Sequence, residues 1–493
     1  MKIKRIICVL LALLTLCGVF VSCSSLNDDE QGTRGPEVTY LDDDGKRYDE
    51  NGFLMDDLPD DIDLEGKEIR ILSHDTGLGE NPTEMTGDMV SASVYKRNLE
   101  VEGRFGVKLV SEKIATTYDT QNDYVSKVHL STDDSYDLLG SYSMCAMTLA
   151  IDGYLSNIGE CDYVDFSKPW WPKTLVESCN INGNMYFATG DITITYYDQM
   201  FMTVMNKKLW EQYQFEDDIY EVVRTGYWTN EKMFKYAKSV YSDNNSNGKD
   251  YQDTFGCIIS SSVSLDTFSS GANLDFIAVG SDGKFTVGAD ILSTDKGHSL
   301  IKLLNDNIWS TNNTFLDTDG QIQLREGRGL FTTTTVSSLG RQIAAGIEFP
   351  YAILPTPKYD LDQENYYTNL GFPYSMYSIP LACKDANVSA LIMEAMASEG
   401  YRETTQVFYE TKVKYRYSSD DAQNVEMFEL ISDYPYFDFS RFAYKTLEGG
   451  NMNPISTFRS CVQSNLGTWT SRTKSMKSKL EKFCSETLNA MFE

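Results

Sequence analysis

Histidine is nearly absent from this chain: His74, His129 and His298 are the only three in 493 residues. No HExxH, GxSxG, Walker A or GxGxxG pattern occurs either. Metalloprotease, α/β-hydrolase, P-loop and dinucleotide-binding chemistries therefore have no residues to stand on. Cysteine is sparse, with ten residues and no CxxC pair, which argues against a zinc site or a thioredoxin-like redox centre. Positive charge is the next shortage. Lys and Arg number 43 against 72 Asp and Glu, giving a net charge of −29. Such a chain is repelled by nucleic acid and by anionic lipid surfaces. Beyond Val21 no apolar run is long enough to span a bilayer, and no solenoid-like internal repeat is visible.

What is present begins at the N-terminus. Lys2, Lys4 and Arg5 precede an apolar run from Ile6 to Val21, and Phe20-Val21-Ser22-Cys23 closes it in the form of a bacterial lipobox. The pattern predicts a lipoprotein signal peptide over residues 1–22 and a diacylated Cys23 at the head of the mature chain. A retained transmembrane anchor is the alternative, although no basic stop-transfer flank follows. Processing would leave about 470 residues, enough for two or three domains. It would also remove Cys8 and Cys17 and move the net charge to about −32.

Outside Cys23, Cys145, Cys161, Cys179, Cys257, Cys383, Cys461 and Cys484 remain, an odd set that speaks against a disulfide framework. A single bridge such as Cys461–Cys484 stays open. Residues 23–65 are rich in Asp, Glu, Gly and Asn and are expected to form a solvated tether between the lipid and the folded part.

Globular patterning starts at Lys67–Leu72, a short β-run. An amphipathic helix is expected over Val90–Phe105, a strand over Val107–Val110, a helix over 122–132, and a strand over Tyr136–Leu139 ending in Gly140–Ser143. Met185–Ala188 and Met200–Asn206 read as further strands. Strands alternating with helices predict a largely parallel, doubly wound α/β domain, whose ligands bind at the carboxyl ends of strands. Tyrosine is abundant, at 31 residues. Its ring and hydroxyl suit stacking on sugars and bonding to them, and equally suit an ordinary exported surface.

The order of certain segments carries a resemblance. Lys67-Glu68-Ile69-Arg70-Ile71-Leu72-Ser73 follows the lipobox and acidic stretch. Then come Tyr136-Asp137-Leu138-Leu139, the Gly153-Tyr154-Leu155 turn, Asn182-Gly183-Asn184-Met185-Tyr186-Phe187-Ala188 and Met205-Asn206-Lys207-Lys208-Leu209. Glu326-Gly327-Arg328-Gly329-Leu330-Phe331 and Ala352-Ile353-Leu354-Pro355-Thr356-Pro357-Lys358-Tyr359 complete the series. Over about residues 66–445 the chain resembles extracellular solute-binding protein family 1, the sugar-binding lipoproteins of ABC importers, in their clostridial form.

The resemblance implies an α/β, two-lobed periplasmic-binding-protein-like (type II) fold with hinge strands and a ligand cleft. The N-terminal lobe would comprise residues 66–195 and 353–385, and the C-terminal lobe residues 196–352 and 386–493. It further implies a monomer without catalysis, a carbohydrate ligand, an ABC permease as membrane partner, and attachment to the outer face of the membrane through lipid on Cys23.

Positions matching the family's cleft loops supply the candidate ligand contacts: Ser141, Tyr142 and Ser143; Tyr197 and Asp198; Ser262 and Asp266; Thr333 and Thr334. Each offers a hydroxyl, a ring or a carboxylate to a polar ligand. Trp170 and Trp171 would stack on a pyranose or anchor a loop by burial. Phe372 and Tyr374 would line the cleft or pack the first lobe, and Phe437 would form a late aromatic wall. Asp243, Asn245, Asn247 and Lys249, with Gly248 between, imitate the start of an EF-hand loop. Thr254 stands where a bidentate Glu is needed, so a calcium site and a plain polar turn are both open. A glycan-degrading enzyme, a peptide or polar-solute binder, and a helical-repeat glycan-binding lipoprotein are the competing functions.

Overall fold

A computed structural model describes residues 40–75, 81–131, 134–259, 262–291, 295–316, 320–418, 421–464 and 469–492. The predicted signal peptide, the lipidated Cys23 and the tether up to residue 39 lie outside the described residues. No helix among the described residues is long and apolar enough to cross a membrane.

Two sheets organise the chain. The first runs Ser375–Ser378, Leu138–Tyr142, Lys67–Asp75, Val107–Ala115 in spatial order. Its last three strands are parallel and Ser375–Ser378 is antiparallel to Leu138–Tyr142. All five residues of Leu138–Tyr142 are buried, as a central strand covered on both faces requires. The crossover helix Met89–Phe105 starts at Asp88, whose carboxylate accepts from the Ser91 N–H at 2.9 Å. It stops at Gly106, which adopts a left-handed φ of 59°. A Cβ there would lie 2.2 Å from the Asp63 carboxylate, so glycine is needed for space as well as conformation.

The second sheet runs Thr314–Leu316, Thr254–Ile259, Gly329–Thr335, Phe201–Asn206, Tyr351–Leu354. Phe201–Asn206 is antiparallel to both neighbours, so this sheet is mixed where a mostly parallel one was expected. The two sheets define two lobes. The first crossing passes from Ala188 to Met200 and the return from Leu370 to Tyr377. They lie side by side, with Ala188 bridged to Tyr377 and Met200 to Leu370. Tyr351–Leu354 pairs entirely with Phe201–Asn206, so the return falls after residue 354 rather than at 353.

A third connection is helical. Ala386–Glu399 packs on Met89–Phe105 of the first lobe, and the helix continues through wide π-type turns to Tyr417, beside Gln423–Asp433 on the second. It follows that residues 386–399 belong with the first lobe, not the second, because their apolar face is buried there. Gly400 opens the first wide turn, where a Cβ would meet the Asp191 carbonyl at 2.0 Å.

The tether also needs correction. Tyr40–Leu41 and Arg47–Tyr48 form a small hairpin, and Met55 and Leu58 are buried in the core. Asp56, fully buried, makes a two-pronged bond to Arg104 at 2.9 and 2.7 Å. Residues 47–64 are thus a strap on the first lobe. The cysteines Cys145, Cys161, Cys179, Cys257, Cys383, Cys461 and Cys484 are all free thiols, so Cys461 and Cys484 are not bridged.

Candidate ligand-binding cleft

The carboxyl ends of the first-sheet strands open onto a cavity of about 540 Å³, where α/β sheets place their ligands. Asp75 and the Thr116–Tyr118 loop come from the ends of Lys67–Asp75 and Val107–Ala115, and Tyr142 and Met144 from the end of Leu138–Tyr142. The return crossing adds Phe372 and Pro373. Opposite stand Val263 and three side chains from C-terminal helices: Tyr444 and Glu448 from Tyr444–Gly449, and Arg459 from Pro454–Val462.

The walls are aromatic. Tyr142 stacks with Phe372 at 6.0 Å between centroids and 11° between planes, and Phe372 with Tyr374 at 6.2 Å and 17°. Across the opening the Tyr118 and Tyr444 rings meet edge to face at 6.2 Å. The Lys445 ammonium sits 4.0 Å from the Tyr118 centroid, and the Tyr118 hydroxyl donates to Glu448. Burial, then the Glu448 charge, push the Tyr118 phenol well above its ordinary value, so it stays a neutral donor.

Polar order at the base comes from one buried carboxylate. Asp266, with no exposed surface, accepts from Arg459 Nε and Nη2 at 2.6 and 2.5 Å and from Arg441 Nη1 at 2.7 Å. Arg441 also donates to the Leu370 carbonyl at 2.8 Å and lies 5.0 Å over the Phe372 ring. Burial alone would lower the Arg459 pKa, but the Asp266 charge outweighs it and holds the guanidinium cationic.

Of the residues singled out from sequence, Tyr142 and Phe372 line this cavity. Ser141, Ser143 and Tyr374 form the layer behind it: the Ser141 hydroxyl donates to Tyr124 Oη at 3.2 Å and the Ser143 N–H to the Tyr374 carbonyl at 3.1 Å. Asp266 stands behind Arg459 rather than at the surface. Ser262 opens the turn Ser262–Leu265, and its side chain lies outside the described residues.

The remaining candidates sit elsewhere. Thr333 and Thr334 were expected in a loop but are ladder residues of Gly329–Thr335, with Thr333 opposite Thr203 and Ile259. Phe437 packs against Phe442. Asp198 is buried with Lys412 Nζ at 3.5 Å; burial raises its carboxyl despite that cation. Trp170 and Trp171 are buried, and both indole N–H groups donate to Glu394, at 3.0 and 2.9 Å. They border a separate cavity of about 510 Å³ beside the first crossing, apart from the one lined by Tyr142 and Phe372. Burial raises the Glu394 carboxyl to about 8, against the pull of the two indoles.

Tyr197 borders the same second cavity and donates to Asp191 at 2.8 Å, and Thr405 from the long helix donates to the same oxygen at 2.6 Å. Burial lifts Asp191 to about 7. An acid raised in the fold above its unfolded value of 3.8 binds a proton that the unfolded chain has lost, so stability falls as pH rises from 3.8 to 7. Asp191→Asn keeps the acceptor oxygen and removes the titration. The variant is expected to lose a stability slope that sums to roughly 4 kcal/mol across that window, read from urea unfolding at pH 4 to 7; an unchanged slope would contradict it.

The Asp243–Thr254 loop closes on itself. Asn245 and Asn247 both donate side-chain N–H to Asp250 at 2.9 Å, Gly248 N–H bonds to Asp243, and Lys249 Nζ donates to the Thr311 carbonyl at 3.0 Å. Lys249 brings no ligand oxygen on its side chain. Among the described residues, Asp134, Asp137 and Cys383 do converge within 4.8 Å of one another, but Arg70 and Lys384 already neutralise those carboxylates.

Asp75, Tyr118, Tyr444, Glu448 and Arg459 escaped the sequence reading. Tyr118 had a usable signal, since it follows a parallel strand as Ser141–Ser143 do. The three C-terminal residues had none, because they sit on short helices joined to the cleft only by tertiary packing.

No protein-family model matches the sequence, and no curated protein sequence does. Solved structures do match. A cyclic α-maltosyl-1,6-maltose binding protein from Arthrobacter globiformis superposes with a TM-score of 0.58 and 13% identity, covering 85% of this chain and 100% of its own. A cyclo/maltodextrin-binding protein solved with maltotetraose gives 0.56 and 13%, covering 84% and 97%. UgpB from Mycobacterium tuberculosis, solved with glycerophosphocholine, gives 0.55 and 14%, covering 86% and 99%. The fold is therefore that of the two-lobed solute-binding proteins.

Proposed function

We propose that this chain is the substrate-binding lipoprotein of an ABC importer of the family 1 type, capturing an oligosaccharide between its lobes and passing it to a membrane permease. The supporting observation is the cleft: strand ends, a crossing segment and C-terminal helices converge on a space walled by Tyr142, Phe372, Tyr118 and Tyr444, with Arg459 and Glu448 among its polar groups. Flat rings with a few fixed polar groups suit a sugar, whose ring faces are apolar and whose rim is hydroxylated. A ligand that touches both walls favours the closed arrangement of the lobes, by its differential affinity for that state. Attachment through lipid on Cys23, a monomeric state and the absence of catalysis belong to the same reading.

Thermal unfolding of the soluble chain against mono- and oligosaccharides, amino acids and peptides, with and without calcium, tests it. A ligand at a hundredfold excess over its Kd adds about 2.7 kcal/mol to native stability and raises the midpoint. A glycan is expected to do so without being hydrolysed, and Tyr142→Ala to weaken it by roughly tenfold through the lost ring contact. A shift with peptides alone, or release of reducing ends, would replace the proposal.

A further inference from the structure

Arg459 enters the cleft with part of its donor set unused. A guanidinium has five N–H donors in one plane. Asp266 takes the Nε and one Nη2 hydrogen, at 2.6 and 2.5 Å, and Tyr444 Oη takes one from Nη1 at 3.0 Å. One N–H on each terminal nitrogen is left, and no described residue accepts from either. The Asp266 contact occupies Nε and one side of Nη2, which leaves one donor on each terminal nitrogen for charge-assisted bonds to a ligand anion.

The charge around it points the same way. One carboxylate, Asp266, serves two guanidiniums, Arg441 and Arg459, so this buried group keeps an excess positive charge. It does so in a chain whose overall charge is −29. The Arg459 side chain is 13% exposed, so most of its charge is already out of water, where an added anion gains more than at a surface. Lys445 stands at the rim beside Tyr118. Two carboxylates share the cavity: Glu448, which accepts from Tyr118, and Asp75 at the end of its strand.

We propose that the ligand is an acidic saccharide, whose ring carboxylate seats on the free edge of Arg459 while the sugar lies against Tyr142 and Phe372. This rests on the carbohydrate reading above and adds the charge of the substrate to it. Arg459 is then the residue that selects an acidic ring over its neutral counterpart, Tyr444 and Asp266 hold its plane, and Arg441 supplies the charge that Asp266 cannot cancel for both.

Titration calorimetry of the soluble chain with glucuronate- and galacturonate-containing disaccharides, their neutral hexose counterparts, and a sulfated disaccharide decides it. An acidic member is expected to bind at least tenfold tighter than its neutral counterpart, with a Kd that rises with ionic strength while the neutral one does not. Arg459→Lys keeps the charge but not the planar fork, and is expected to bring the ratio of acidic to neutral affinity at least threefold closer to one. Where the variant fails to fold, the wild-type ratio of acidic to neutral affinity decides alone. A neutral sugar binding as tightly as the acidic one would overturn the inference and leave the carbohydrate reading standing. Preference for the sulfated disaccharide would overturn the carboxylate assignment. Binding of peptides and of no saccharide would remove both.

Discussion

Asp266→Ala is expected to cost about 3–5 kcal/mol of stability, the range for breaking a buried ion pair by removing one partner. The value follows from what the carboxylate does. It is wholly buried and accepts three charge-assisted bonds, from Arg441 and twice from Arg459. Without it, two buried guanidiniums face each other with no counter-ion. The same substitution is expected to weaken ligand binding, because Arg459 and the Arg441–Phe372 contact lose their common seat. Urea unfolding with a calorimetric titration reads both effects. A compensating variant separates them. Asp266→Leu with Arg441→Met and Arg459→Met removes all the charge together, and is expected to regain much of the stability while binding stays lost. A wild-type urea midpoint for Asp266→Ala would show that the triad does not hold this part of the fold.

Asp266 also shows what the sequence could and could not say. Its place in a stretch matching the family's cleft loops marked it as a ligand contact, but the structure sets it behind a guanidinium that lies 193 residues further along the chain. Strand-end rules locate a backbone; they do not say which side chain reaches the surface first. The first sheet was legible because its strands are short apolar runs separated by helical periodicity, and Leu138–Tyr142 with the helix Met89–Phe105 are local patterns. Met185–Ala188 misled for the same reason. Its alternation is strand-like, yet apart from the Ala188 bridge to Tyr377 it runs as irregular chain. Thr333 and Thr334 looked like a polar loop, because a threonine run carries no hydrophobic signal. Inside the second sheet their β-branched side chains suit a ladder position. Trp170 and Trp171 carried no directional information at all: that both indoles donate to the buried Glu394 is a tertiary fact. The C-terminal helices were visible as helices, but their apposition to the first-sheet strand ends is purely tertiary.

The acidic stretch before residue 65 is where composition misled most, and it supplies the second large expectation. Asp56→Ala is expected to cost about 3–5 kcal/mol, whereas Asp43→Ala, thirteen residues earlier on exposed chain, should stay within about 0.5 kcal/mol. Both are aspartates in the same acidic run, so charge density cannot tell them apart. What differs is the partner. Burial alone would raise the Asp56 carboxyl, but the two bonds from Arg104 at 2.9 and 2.7 Å hold it below its usual 3.8. A depressed acid stabilises the fold above its unfolded pKa, and that contribution is lost as pH falls through the folded value. Wild type and Asp56→Ala are therefore expected to differ most near neutrality, with the gap narrowing as pH falls below 3.8 and through the depressed folded value. Met55 and Leu58 on either side are buried, so loss of the pair would also loosen the strap from Met89–Phe105. Urea midpoints at pH 7 and pH 3, with proteolysis of residues 40–64 followed alongside, test the pair and the strap together. Equal midpoints for the two aspartate variants at pH 7 would return this segment to the status of a tether.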